Sequence, residues 1–236
     1  MTVRVQRPAD RIAELVLDRP EALNAISTAQ AEALARACGE VAGDESLSVV
    51  VLTSSAARAF CVGADLKERA AFSDDDLRRQ RPIMLDAYGG VLSLAVPTIA
   101  AVEGYALGGG AELALACDLI VASQTAVFGL PEVGVGLIPG GGGTQLLARR
   151  AGLNRAADLI FTGRQVDAEE AERLGIVDRL VPAGTARAAA VALAEQIASR
   201  SPRALRHAKA ALRAGNDVDL PSGLAIENEH WQAVAF

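Results

Sequence analysis

Glu103-Gly104-Tyr105-Ala106-Leu107-Gly108-Gly109-Gly110-Ala111-Glu112-Leu113 is the stretch from which the fold of this chain can be read. Just before it, Thr98-Ile99-Ala100-Ala101-Val102 reads as a strand, and the Ala/Leu-rich residues from Gly110 to about Cys117 read as a short helix. A strand therefore ends, glycines crowd together and a helix begins. The first amides of a helix have no partner inside it, so they point outward with the positive end of the helix dipole behind them. Glycine lets a ligand approach that backbone, so the Gly109 amide can donate to charge developing on a substrate oxygen. Glu112 follows about one helical turn later, on the same face as that amide. The alternative reading is structural: the glycines would permit tight helix-on-sheet packing, and Glu112 would simply favour a helix N-terminus. No Lys-Ser or Lys-Thr follows, as a Walker loop requires, and the glycine run does not complete a dinucleotide-binding fingerprint.

On either side of this stretch the chain alternates apolar runs with helical ones. Ile12 to Leu17 reads as a strand broken by the proline turn Asp18 to Asn24. A helix to Val41 follows, with Ser27 and Gln30 in the spacing of a capping box. Val49 to Leu52 is apolar on both faces, as in a strand covered on both sides, and Leu119 to Ala122 reads as a further strand. Ala59 to Asp65 reads as a loop, and the charge-rich Ser73 to Leu94 as a helix or helix pair with an exposed face. After Gly140-Gly141-Gly142-Gly143 the spacing predicts almost wholly helical chain, with a second capping box at Asp167 and Glu170 and a long helix over Ala183 to Ser199. The pattern predicts an α/β core over residues 1–182, with parallel-sheet character, and a helical region over 183–236.

Composition narrows the function. Of 236 residues, 51% are hydrophobic and 22% charged, enough to bury a substantial core. A net charge of -6, from 23 Lys+Arg against 29 Asp+Glu, speaks against a nucleic-acid or anionic-membrane partner held on a broad basic face. The N-terminus lacks the apolar segment of a signal peptide and no uninterrupted apolar run has spanning length, so a soluble cytoplasmic protein is expected. Cys38, Cys61 and Cys117 are widely spaced and read as buried thiols. The histidines, His207 and His230, sit near the C-terminus in helical sequence, which leaves little material for a histidine triad or zinc site. Acid and base chemistry falls to carboxylates.

Two further segments can carry such chemistry. Phe60-Cys61-Val62-Gly63-Ala64-Asp65-Leu66-Lys67 again leaves a backbone amide open among small residues. Phe128-Gly129-Leu130-Pro131-Glu132-Val133-Gly134 sets a lone carboxylate after a proline in nearly uncharged sequence. Burial would raise the pKa of such a group and suit it to donating a proton; left at the surface it would be a turn residue.

Together, in this order, the three segments resemble the crotonase, or enoyl-CoA hydratase/isomerase, superfamily. The resemblance runs from about Arg4 through the helical region and is most specific in Phe60 to Lys67, Pro97 to Asp118 and Phe128 to Gln145. It implies a crotonase-like spiral of ββα units with a helical C-terminal region, assembled as a homotrimer or a dimer of trimers. It also implies that Ala64 and Gly109 form the oxyanion hole for a thioester carbonyl, and that Glu112 and Glu132 are the catalytic pair of a hydratase. The substrate site would be lined by Ala22, Leu23 and Ala25, by Asp65, Leu66 and Lys67, and by Gly108 and Gly140, with Lys67 a candidate phosphate contact. The substrate would be an acyl-CoA thioester, with coenzyme A part of the substrate and neither metal nor other cofactor required. Family members usually continue past the position of Phe236 into final helices over the CoA site, so weaker CoA binding than in a full-length relative is expected. Within the resemblance, hydration, double-bond isomerisation or another acyl-CoA reaction, and silent acyl-CoA binding remain as alternatives; both glutamates together favour hydration.

Overall fold

The computed structural model describes residues 2–236. In chain order its elements are β1 (Val3–Ala9), β2 (Ile12–Leu17), α1 (Thr28–Ala42), β3 (Val49–Ser54), β4 (Ala59–Cys61), α2 (Leu66–Arg69), α3 (Asp74–Leu92), β5 (Thr98–Val102), β6 (Tyr105–Leu107) and α4 (Gly109–Ala116). There follow β7 (Leu119–Ser123), β8 (Val127–Gly129), α5 (Gly143–Ala151), α6 (Leu153–Thr162), β9 (Val166–Asp167), α7 (Ala168–Arg173), β10 (Arg179–Val181), α8 (Ala186–Ala198), α9 (Pro202–Gly215) and α10 (Leu220–Ala235). Among the described residues the strands form two sheets, a six-stranded one in the order β1-β2-β3-β5-β7-β10 and a four-stranded one in the order β4-β6-β8-β9. Each of the pairs β3/β4, β5/β6 and β7/β8 sends its first strand to the large sheet and its second to the small one. Neighbouring units pair in parallel in both sheets, so the chain climbs as a spiral of ββα units.

The double-sided burial expected of Val49 to Leu52 is what holds the large sheet in place. Val50 and Leu52 enter the main core with Leu15, Ala100 and Ile120. Val49 and Val51 face the other way, with Ile12, Ile99, Ala101 and Val121, and are covered by Ala190, Leu193, Ala194 and Ala198 of α8. Burial of each such Val, Ile or Leu is worth about 1.5–3 kcal/mol, so α8 belongs energetically to the sheet it covers. Glu103 ties the two together: its carboxylate accepts from the Ala186 amide at the start of α8 (2.9 Å). All three cysteines are buried free thiols, with pKa values pushed up to about 12 by burial.

The local pattern is corrected in several places. Ala59–Cys61 is not loop but strand β4, too short to show a period and formed because β6 lies alongside it. Of the two readings open for Ser73 to Leu94, the single helix is the one formed, as α3, capped by a reciprocal Ser73–Asp76 box and running through Pro82. Ser27 does cap α1 by accepting from the Gln30 amide, but the Gln30 side chain is buried with neither of its polar atoms partnered, so the box is only half made. Asp167 likewise caps α7, while the Glu170 carboxylate pairs with Arg164 instead of reaching back. The helical C-terminal half carries two short strands, β9 and β10, that complete the sheet edges. No helix among the described residues is long and apolar enough to cross a membrane.

Between β2 and α1 the chain reverses through Leu23 and Asn24, both at positive φ (51° and 55°). Asn24 is fully buried and holds this corner: its side-chain oxygen accepts from the Arg19 amide, and its nitrogen donates to Ser54 Oγ and to the Phe60 carbonyl. Alanine there loses these bonds and meets a steric cost in the left-handed region. Asn24→Ala is expected to lower unfolding free energy by about 2–5 kcal/mol. Urea unfolding monitored by circular dichroism measures this; a loss below about 1 kcal/mol would contradict the role given to this corner.

Candidate active site

β4 and β6 are parallel neighbours, so the turns that leave them lie on the same edge of the small sheet. After β4 the chain passes Gly63, at φ 89°, into Ala64; after β6 it passes Gly108, at φ 51°, into α4. The two turns touch: a Cβ on Gly63 would stand 3.2 Å from the Gly109 nitrogen. One residue on, Gly110 packs so closely on the Cys61 carbonyl that no side chain would fit, which fixes the helix start against β4. Ile26 pins the other side, donating to the Gly63 carbonyl (2.7 Å) and accepting from the Asp65 amide (3.0 Å). The Ala64 and Gly109 N–H groups between these anchors donate to no other group among the described residues.

Glu112, in the first turn of α4, is 2% exposed. One carboxylate oxygen, Oε1, accepts from the amides of Gly141 (2.6 Å) and Gly143 (2.8 Å), so the glycine run before α5 serves as a backbone cradle for this side chain. Burial raises its pKa; the two amides and the charge of Arg81 oppose that rise. Glu132 lies in a 3-10 turn, Pro131–Val135, just after β8, and β8 is the parallel neighbour of β6. Its Oε1 therefore comes to Gly108, 3.0 Å from where a Cβ on that glycine would be. Its Oε2 is buried without a partner. Burial, opposed by the residue's own amide and reinforced by the negative charge of Glu112, pushes the Glu132 pKa up to about 7. Two acids sharing one cavity thus differ in kind: one is anchored by N–H donors of another loop, the other keeps one buried oxygen without a partner.

One cavity of ≈ 560 Å³ is bordered by Ala64, Gly109, Glu112, Glu132 and Gly140, which the sequence scatters over four loops and helix starts. The remaining candidates are not among the residues that border it. Gly108 forms the turn beside Glu132. Ala22 ends a short 3-10 turn, Leu23 follows it at positive φ, and Ala25 is buried, its carbonyl accepting from Arg19. Leu66 and Lys67 are exposed at the start of α2. The Asp65 carboxylate is taken up by the fold: it caps α2 and takes a 2.6 Å ion pair from Arg19. Burial pulls its pKa up, but the bonds from Arg19 and from the Glu68 and Lys67 amides outweigh this and hold it below the ordinary value. The cavity is also lined by residues that the motifs did not single out, Arg69, Gln80, Arg81, Met84 and Tyr88, together with Leu137 and Ile138. Gln80, Arg81, Met84 and Tyr88 lie in the stretch Ser73 to Leu94, whose sequence signals a charge-rich helix and nothing more.

Other proteins are similar to this chain in sequence and in fold. The profile of the enoyl-CoA hydratase/isomerase family matches residues 8–235. The mouse (Mus musculus) protein named enoyl-CoA hydratase domain-containing protein 2, mitochondrial, is 42% identical over 228 residues, covering 93% of this chain and 76% of its own. The enoyl-CoA isomerase/hydratase fer4 of Mycosarcoma maydis is 42% identical over 222 residues, covering 90% of this chain and 81% of its own. Among solved structures, an enoyl-CoA hydratase from Bacillus anthracis superposes with a TM-score of 0.97 at 39% identity, covering 100% of this chain and 91% of that one. With a family match over nearly the whole length and a spiral ββα fold shared with that enzyme, this chain belongs to the enoyl-CoA hydratase/isomerase family, the crotonase superfamily.

Proposed function

We propose that this protein is an enoyl-CoA hydratase, adding water across the double bond of a 2-enoyl-CoA. The observation that carries the reading is the pair of acids with opposed environments, Glu112 cradled by two amides and Glu132 with one buried oxygen unpartnered, in a cavity that two unused N–H groups also border. Water is a weak nucleophile, so its attack on the β-carbon needs a base to take its proton and a donor set to absorb charge on the thioester oxygen. In this reading the Ala64 and Gly109 amides hold that oxygen as enolate character develops. Glu112, ionised, orients the water and takes its proton as oxygen bonds to Cβ. Glu132, protonated, gives its proton to Cα, so that the water is added whole and one proton passes from Glu112 back to Glu132 before the next turnover. Isomerisation would use the same oxyanion hole with one carboxylate moving a proton between carbons; the second acid is needed only if water is a reactant.

The test is purified protein with crotonyl-CoA, followed by loss of absorbance of the conjugated thioester. Inertness toward short, medium and aromatic 2-enoyl-CoAs, or faster conversion of 3-enoyl-CoA to 2-enoyl-CoA than hydration, would overturn the reading. The pH dependence has a definite sign. Glu132 must carry its proton, so kcat/KM falls as pH rises through about 7, by about tenfold per unit beyond it. Glu112 must be ionised, and burial raises its pKa, so the acidic limb lies above the ordinary glutamate range. A rate still rising with pH between 7 and 9 would remove Glu132 from the role of acid.

We also propose assembly as a trimer or a dimer of trimers. α9 and α10 pack on each other while Leu212, Leu220, Leu224 and Trp231 stay 55–75% exposed, an apolar surface of the kind that subunit contacts cover. Light scattering after size exclusion should give three or six chains; a monomer at micromolar concentration would contradict it.

A further inference from the structure

The lining of the cavity that holds the two acids carries two guanidinium groups that the hydration reaction does not use. Arg69, the last residue of α2, donates its Nε to the Gln80 side-chain oxygen (3.1 Å). Gln80 is buried and fixed in turn, its nitrogen donating to Thr28 Oγ1 (2.9 Å) and Glu68 Oε2 (3.1 Å). This bracket occupies only Nε and leaves both terminal nitrogens of Arg69 free. Arg81 donates one terminal nitrogen to the Gly140 carbonyl (2.7 Å), leaving its other terminal nitrogen and Nε free. Both side chains line the cavity that holds Glu112 and Glu132, and neither has a carboxylate within ion-pair distance among the described residues. The contrast within α3 is direct. Arg78 and Arg79 point outward and are each matched to an aspartate one turn back, Asp75 and Asp76.

The lining of the cavity carries a surplus of positive charge. On the proposed hydratase reading, on which this inference rests, Glu112 is ionised and Glu132 is protonated. Two guanidiniums against one carboxylate leave one positive charge over, in a space whose other lining includes Leu77, Met84, Leu137 and Ile138. Neither guanidinium spends all of its N–H donors on the fold, and a planar fork of such donors matches a carboxylate. We propose that the preferred substrate is a 2-enoyl-CoA whose acyl group ends in a carboxylate, held by Arg69 and Arg81 in the cavity lining. Coenzyme A phosphates are the other anions that could meet these groups. Lys67, at the exposed start of α2, is better placed for them, because it lies outside the cavity lining.

Calorimetry with two saturated thioesters of equal chain length, glutaryl-CoA and pentanoyl-CoA, separates these sources without requiring turnover. Glutaryl-CoA should bind about 10–100-fold more tightly than pentanoyl-CoA. Arg69→Met and Arg81→Met should each reduce that ratio by about tenfold, and Arg69→Lys and Arg81→Lys should retain part of it. Equal affinities in the wild-type protein would overturn the proposal. So would a loss in the Met variants that falls equally on both thioesters, since that would assign the arginines to the CoA phosphates or to the fold. Hydration of crotonyl-CoA and glutaconyl-CoA is measured in parallel. A tight glutaryl-CoA complex with no turnover of either enoyl substrate would refute the hydratase reading and leave the carboxylate preference standing.

Discussion

Glu112→Gln is expected to lower kcat for crotonyl-CoA hydration by about 10²–10⁴ while leaving KM within a few-fold of wild type. The side-chain oxygen of glutamine can still accept from the Gly141 and Gly143 amides, so the cradle that positions residue 112 survives the change. What disappears is the capacity to take a proton from water. A base acting only as the new carbon–oxygen bond forms contributes to the transition state and not to binding, which is why the loss belongs in kcat. Glu112→Asp provides the complementary test. It retains the charge but withdraws it by one methylene from both the cradle and the substrate, so it should fall between the wild type and Gln. Steady-state rates with crotonyl-CoA, together with a circular dichroism melt to show that the cradle still folds, decide the matter. If Glu112→Gln hydrates at more than about a tenth of the wild-type rate, another group takes the proton.

The parts of this site that sequence could disclose are those where one local pattern has one physical cause. Four consecutive apolar β-formers at Val49 to Leu52 have few uses other than a strand covered on both faces, and the two hydrophobic clusters share them accordingly. The glycine run into α4 was equally legible, because the close approach of Gly110 to Cys61 and the turn at Gly108 both demand the absence of a side chain. The small sheet was harder to see. Its strands β4, β6, β8 and β9 are two or three residues long, shorter than any hydrophobic period, and exist because neighbours supply their hydrogen bonds. Gln30 shows the reverse failure, a correct capping spacing whose side chain is drawn into the interior instead. Arg78, Arg79 and Arg81 show the deepest limit. All three lie in one charged helical stretch, and only its packing against the Leu137–Gly142 loop decides which of them faces the cavity.

Gly109→Ala should cost about 10²–10³ in kcat/KM, although alanine is a better helix former at an ordinary helical position. The new methyl group would fall on the Tyr88 hydroxyl, and the Tyr88 ring is packed against Gly141. That hydroxyl makes no hydrogen bond among the described residues, so nothing but packing holds the ring where it is. Two relaxations are available, and both damage the site. Moving α4 displaces the Gly109 N–H from the thioester oxygen, and moving Tyr88 presses on Gly141, one of the two amides that anchor Glu112. The double variant Gly109→Ala/Tyr88→Phe tells these apart from a simple loss of room for substrate. Removing the hydroxyl oxygen removes the nearest obstacle, leaving the ring carbon at 3.3 Å and Ile26 at 3.4 Å, distances that small shifts can absorb. Activity should therefore recover by about tenfold relative to Gly109→Ala alone, a coupling of the size found between side chains in direct contact. If Tyr88→Phe brings no recovery, the methyl group obstructs the thioester itself and the hydroxyl is a bystander. If Gly109→Ala retains full activity, the Gly109 amide is not where the substrate oxygen gains its charge.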